Sequence, residues 1–152
     1  MNDRNAFLVD EMLGRLKTYL RMCGYDTKYI GDIDDVSPAK IESIVNDESR
    51  ILLTRNRQLS QTIDNAIYIK PTDIEDQLQI LVHRDFELSM TTPTRCSHCN
   101  GILSEVTELG STPAYAPDPN DEQLWQCKQC GHFYWKGSHW DDVKHRIEML
   151  SK

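Results

Sequence analysis

The stretch AFLVDEMLGRLKTYLRMCGYDTKYI (residues 6–30) decides the fold. Ala6–Val9 is a short, wholly apolar run, as expected for a strand covered on both faces. Leu13, Leu16 and Leu20 then share one face of a helix at spacings of three, four and seven. Gly24 stands where a helix ends in a left-handed residue, and TKYI (27–30) returns to strand composition. Strand, helix and strand in succession imply parallel strands joined by a crossover.

The alternation continues toward the C-terminus. Ser37-Pro38 reads as an N-cap followed by proline at the first helical position, with Ile41, Ile44 and Val45 as the buried stripe. RILLT (50–54) is a third strand, a short helix covers Arg57–Asp64, and AIYI (66–69) is a fourth strand. Thr72 or Asp73 can cap a further helix, in which Ile74, Leu78, Leu81 and Val82 keep the helical period. The expected class is therefore α/β, a parallel sheet flanked by helices. LSMTTPTR (88–95) changes composition and carries a proline, which places a domain boundary there. Residues 1–90 form the first expected domain and 91–152 the second, which closes with a helix over WDDVKHRIEML (140–150). No internal repeat and no low-complexity tract interrupts this order.

Composition bounds the function. Of 152 residues, 39% are hydrophobic and 27% charged, proportions of a globular chain and not of a disordered one. No apolar run approaches the roughly 18 residues of a membrane span. The N-terminus MNDRNAFLVDE lacks signal-peptide architecture, so the expected location is cytoplasmic, with no membrane partner. The net charge of −7 argues against broad attraction to nucleic acid. It divides into −5 over residues 1–90 and −2 over residues 91–152, so the positions of the carboxylates matter more than their number.

Four of the five cysteines form two tight pairs, in RCSHC and QCKQCG. A two-residue spacing lets a tight turn aim both sulfurs of a pair at one tetrahedral ion. Residues 100–126, 27 in all, separate the pairs and can be spanned by a hairpin and a loop. Cys96, Cys99, Cys127 and Cys130 are thus the expected ligands of one structural Zn²⁺ in a small ribbon. A redox-active CxxC would need a thioredoxin-like context, which is absent. With four thiolates available, His98 and His132 are not expected to ligate, and the isolated Cys23 reads as a small buried hydrophobe. A module with so little core takes its folding energy from the metal, roughly 10–16 kcal/mol in small zinc peptides.

Ligands of an open parallel sheet gather at the carboxyl ends of its strands. Asp10 and Glu11 follow the first strand, Asp32, Asp34 and Asp35 the second, and Arg55, Asn56 and Arg57 the third. Carboxylates collected at one edge repel unless Mg²⁺ or Mn²⁺ neutralises them, and neighbouring arginines receive phosphates. The set suits metal-assisted phosphodiester hydrolysis. Asp10 can equally serve as a helix cap, and Asp32, Asp34 and Asp35 as residues of a solvated loop.

FLVDEMLGRLKTYLRMCGYDT (7–27), RILLTRNRQL (50–59), RCSHCNGIL (95–103) and CKQCGHFYWKGSHW (127–140) together resemble the Mut-seven C-terminal RNase domain family. That resemblance implies a PIN-like nuclease fold joined to a C-terminal zinc ribbon with a terminal helix. It further implies a metal-dependent ribonuclease acting on RNA. Asp10 matches the family's first-strand aspartate and is the expected central ligand of the catalytic Mg²⁺ or Mn²⁺, with Glu11, Asp34 and Asp35 as candidates for the others. Arg15 and Arg21 match basic positions of the first helix, while Arg55 and Arg57 are placed to steer phosphates. Gly137, His139 and Trp140 match the closing signature, which implies that they pack the ribbon against the nuclease domain or touch RNA, packing being the expectation for Trp135 and Trp140. A homodimer is a further possibility, since PIN-type domains often dimerise.

Two positions depart from the family pattern. Asn56 stands where an aspartate is usual after Leu-Leu-Thr-Arg, and Ser37-Pro38 replaces an acid at the start of the second helix. An amide oxygen still coordinates a cation but carries no charge and is no base. The rival expectation is consequently a catalytically weakened module that binds RNA or a ribonucleoprotein. A pure protein–protein adaptor suits the acidic charge but has no motif of its own.

Overall fold

A computed structural model describes residues 5–107 and 112–150; positions 1–4 and 151–152, at the outer ends of the two expected domains, lie outside it. The chain folds as β1 (Ala6–Val9), a 3-10 turn (Glu11–Leu13), α1 (Gly14–Met22), β2 (Thr27–Tyr29), α2 (Pro38–Asp47) and β3 (Arg50–Thr54). It continues as α3 (Arg57–Thr62), β4 (Ala66–Tyr68), α4 (Ile74–His83), β5 (Leu103–Glu105), β6 (Trp125–Cys127), β7 (Phe133–Tyr134) and α5 (Ser138–Glu148). Strands β1 to β4 form one parallel sheet in the order β2-β1-β3-β4, and β5 to β7 a small antiparallel sheet. The α/β class, the parallel sheet and its flanking helices are as the sequence predicts.

Alternation along the central strands divides the core into two layers. Phe7, Val9 and Leu53 face α1 and α4, where Leu16, Leu20, Leu78 and Leu81 close over them. Leu8 and Leu52 face the other way, onto Ile41, Ile44 and Val45 of α2. Helix α5 carries Trp140, Val143 and Ile147 into the first layer. The terminal helix thus follows the small sheet in sequence but shares the core of the large one, and Trp140 packs as expected.

Local signals act where the sequence places them. Gly24, at φ 90°, follows α1 in a paired cap: its N–H bonds to the Arg21 carbonyl, and the Tyr25 N–H to that of Leu20. Ser37 Oγ accepts from the Lys40 N–H and starts α2 with Pro38 at its first position. Asp73 occupies the N-cap of α4 without a side-chain capping bond.

Edge strand β2 is covered by the first cysteine turn, which satisfies groups that would otherwise face water. Asn100 Oδ1 accepts from the Thr27 N–H (2.9 Å), and its amide donates to Asp26 Oδ1 (2.7 Å). Arg50, 8% exposed, donates to the same Asp26 oxygen (2.9 Å) and to Glu48 (2.7 Å). Burial would raise the Asp26 pKa, yet the bonds from Arg50 and Asn100 outweigh it and hold the carboxyl below its usual value. A carboxyl with a lowered folded-state pKa contributes stability above its unfolded value, near 3.8, and loses it as pH falls through the folded one. Thermal denaturation between about pH 5 and pH 2 should therefore show a falling midpoint. Asp26→Ala should flatten that slope and cost about 1.5–3 kcal/mol at neutral pH. A slope unchanged in the variant would dissociate Asp26 from it.

Candidate functional site

In the order β2-β1-β3-β4 the chain runs outward from β1 to β2, then returns to the other side of β1 with β3. The carboxyl ends of β1 and β3 therefore bound the topological switch point, where open α/β sheets bind ligands. The register pairs Val9 with Leu53, so Asp10 emerges beside Thr54. Asp10 Oδ2 accepts from Thr54 Oγ1 (2.9 Å) and from the Arg55 N–H (3.1 Å). Oδ1 receives a long contact, 3.4 Å, from the Met12 N–H. One oxygen is locked by the neighbouring strand end, while the other caps the 3-10 turn loosely and keeps acceptor capacity. Asp10 is thus both a cap and an oriented carboxylate, and Thr54, the last residue of RILLT, supplies the orientation.

The remaining strand-end residues are arranged unequally. Glu11 is exposed beside Asp10, and its carbonyl accepts a bond from the Tyr29 hydroxyl. Burial pushes the Tyr29 phenol up, helped by the nearby charges of Glu11, Asp32 and Asp10. Asp34 and Asp35 are exposed in the loop before α2, and Asp35 Oδ1 accepts from the Ser37 N–H (3.0 Å). That backbone bond lowers the Asp35 pKa. Among the described residues, carboxylates do not gather into a group of three or more poised for a metal; the cysteines alone do so. Asn56 caps α3, its Oδ1 accepting from the Leu59 N–H (3.0 Å).

Of the arginines, Arg57 and Arg15 are exposed, and Arg15 reaches the Tyr19 hydroxyl at 3.3 Å. Arg55 donates to the Lys70 carbonyl (2.9 Å), while its Nε is buried with no hydrogen-bond partner among the described residues. Arg21 is 2% exposed and donates to the carbonyls of Thr27 (2.9 Å) and Ser97 (3.1 Å). It joins the parallel sheet to the first cysteine turn, with its guanidinium turned inward. Burial lowers its pKa, opposed by the nearby Asp32 and Cys96.

The sulfurs of Cys96, Cys99, Cys127 and Cys130 all lie within 4.8 Å of one another. Cys96–Cys130 and Cys99–Cys127 are 3.7 and 3.5 Å apart, close to the roughly 3.8 Å edge of a zinc–thiolate tetrahedron. The N–H groups of Gln129 and Cys130 point at Cys127 Sγ (3.3 and 3.4 Å), and that of Cys99 at Cys96 Sγ (3.4 Å). Burial would raise the Cys127 thiol, but these backbone donors and the neighbouring cysteines prevail and bring it down to about 7. Four such sulfurs can hold a metal such as zinc. Gly101 makes room for them, since a Cβ there would stand 2.7 Å from Cys127 Sγ and 3.2 Å from Cys99 Sγ. Cys23 is buried in the first core layer, as expected.

The roles of Thr54, Gly101 and Tyr29 went unread in the sequence, because single residues of common type carry no spacing signal. Comparison with curated proteins and with solved structures returned no match. The family model of the Mut7-C RNAse domain matches residues 5–147. With that match covering nearly the whole chain, the protein belongs to the Mut7-C RNAse domain family, whose name points to a ribonuclease-type function with RNA as substrate.

Proposed function

We propose that the protein is a metal-dependent ribonuclease of PIN-like type that hydrolyses RNA phosphodiester bonds at the β1/β3 edge. One observation carries this reading: Asp10 stands at the switch point of the sheet, with one oxygen fixed by Thr54 and Arg55 and the other retaining acceptor capacity. Mg²⁺ is commonly held by one or two carboxylates together with substrate phosphate, and Asp10 with Glu11 offers that number. When bound, such an ion supplies positive charge for the phosphate and a lowered pKa for the attacking water. The chain's own part is to orient Asp10 and to present the exposed Arg57 to a phosphate. Zinc at the cysteines is structural in this reading, because four protein ligands leave no open position.

Asn56 favours a second reading, that of a weakened nuclease fold used to bind RNA or a ribonucleoprotein. Its amide oxygen already caps α3, and it brings no charge to Asp10. Asn56→Asp separates the two readings, since aspartate caps a helix equally well and adds a carboxylate beside the site. Labelled single-stranded and structured RNA should be cut in Mg²⁺ or Mn²⁺, and cutting should cease when the ion is withdrawn. Asn56→Asp should raise the rate about tenfold or more. An inert wild type switched on by Asn56→Asp would establish the second reading. Cleavage indifferent to divalent ions would overturn the first.

A further inference from the structure

A cavity of about 620 Å³ opens between α1 and the cysteine module, away from the β1/β3 edge, with Lys17, Arg95, His98, His132 and Trp135 on its walls. Its aromatic side continues into a series of nearly parallel rings. His98 lies 6.2 Å from His132 at 22°, His132 lies 5.0 Å from Tyr115 at 13°, and Tyr115 lies 6.3 Å from Trp135 at 26°. His98 and His132 are exposed, and Tyr115 is 50% exposed. Neither Tyr115 nor Trp135 belongs to any cluster of buried apolar side chains among the described residues. The rings are nevertheless held. The Phe133 N–H donates to the Tyr115 hydroxyl (3.1 Å), and Trp135 lies so close over Gly137 that a Cβ there would meet its Nε1 at 2.6 Å.

Fixed, parallel and partly wet ring faces are a stacking platform for flat ligands. Cations at the margin name the ligand's charge: Lys17 lines the cavity, as does Arg95, which also donates to the Asn100 carbonyl (3.0 Å) and lies 4.0 Å from Asp26 Oδ2, and Lys136 stands 5.9 Å from the Trp140 ring beside it. Asp32 also lines the cavity, close enough to Lys17 and Arg21 for its charge to act on both. From Lys17 on the cavity wall, side-chain contacts run toward the strand ends. Lys17 Nζ sits 4.3 Å from the Tyr29 ring centroid, and the Tyr29 hydroxyl bonds to the carbonyl of Glu11, next to Asp10. A flat, anionic polymer with accessible ring faces fits this combination. Single-stranded RNA has such faces, whereas a duplex keeps its bases stacked and covered.

We propose that this groove holds single-stranded RNA, stacking unpaired bases on the Tyr115–Trp135 platform so that the adjoining backbone runs past Lys17 and Tyr29 to Asp10. The assignment rests on the ribonuclease reading only in taking RNA as the polymer. Binding is measured by anisotropy with a short labelled single strand and the full zinc-loaded chain, without added Mg²⁺ or Mn²⁺, so that no cleavage intervenes. Tyr115→Ala and Trp135→Ala should each weaken binding about tenfold. Trp135→Phe, which keeps a ring, should stay within about twofold of wild type. Trp125 and Trp140 are 5% and 6% exposed, so quenching of tryptophan emission by RNA should come from Trp135 and vanish in Trp135→Phe. Zinc content identifies any variant that has lost its ribbon; should Trp135→Ala do so, Tyr115→Ala decides. Wild-type affinity in Tyr115→Ala, equal competition by a duplex of the same sequence, or no binding of the single strand overturns the groove. RNA bound through these rings but never cut would uphold the groove and remove the nuclease reading. Cleavage and binding unaltered in Tyr115→Ala would do the reverse.

Discussion

Asp10→Asn is expected to lower RNA cleavage by about 10²–10³-fold while leaving the fold intact. The reasoning begins with charge. Asp10 is the carboxylate at the switch point of the sheet, and no group of three or more acids gathers around it among the described residues. Its loss would thus remove the principal negative charge available to a divalent ion. Stabilisation of several kcal/mol by a bound ion corresponds to two or three powers of ten in rate. The fold should tolerate the change, because an amide oxygen can still accept from Thr54 Oγ1 or the Arg55 N–H, which bond to Oδ2 at 2.9 and 3.1 Å. Circular dichroism and the thermal midpoint check that assumption, and initial rates on labelled RNA measure the effect. A variant that cuts at the wild-type rate in the same ion would sink the assignment of Asp10, and a contaminating nuclease would then be the first suspect.

Cys127→Ser is expected to abolish zinc retention and to melt the three-stranded sheet. Cys127 lies in β6, is 2% exposed, and receives two backbone N–H contacts at its sulfur. Among the described residues, the cluster around it holds only Leu103, Trp125 and the cysteines Cys96 and Cys127 as buried residues. So small a core cannot offset the chain entropy of ordering the module. Metal binding, on the order of 10–16 kcal/mol in zinc peptides, would supply the difference. Gly101→Ala tests the same site without touching a ligand, since its Cβ would crowd Cys127 Sγ and Cys99 Sγ; it should weaken zinc about 10–100-fold. Metal analysis of protein purified without chelator should find about one zinc per wild-type chain and far less in Cys127→Ser. Well under one zinc per wild-type chain would defeat the expectation. The damage should spread beyond the ribbon, because Arg21 and Asn100 tie it to β2.

Strand–helix alternation was legible because it is periodic. Leu13, Leu16 and Leu20 announce α1, and Ser37-Pro38 and Gly24 mark helix ends through chemistry confined to a few neighbouring residues. The cysteine pairs were legible for a similar reason, since coordination geometry restricts ligand spacing. Boundaries were less so. TKYI gives a strand only over Thr27–Tyr29, and the helix after β3 ends at Thr62, short of Asp64. Neighbouring elements decide where such short segments stop.

Contacts between residues far apart in sequence were not legible. Arg21 reads as a basic residue on a helix, and only the folded chain shows it 2% exposed and bonded to the carbonyl of Ser97, 76 positions away. Asp35 reads as a strand-end acid, yet its carboxylate binds the N–H of Ser37 in its own loop. By itself the sequence determined the α/β class, the four cysteines spaced to hold a metal and the place of Asp10 at a strand end, because each follows from local pattern or fixed spacing. Tertiary structure alone decided that Thr54 aims Asp10, that α5 returns to the first core, and that Tyr115 meets His132 and Trp135. Those depend on sheet order and on the docking of the ribbon, which long-range packing sets and no short window of residues encodes.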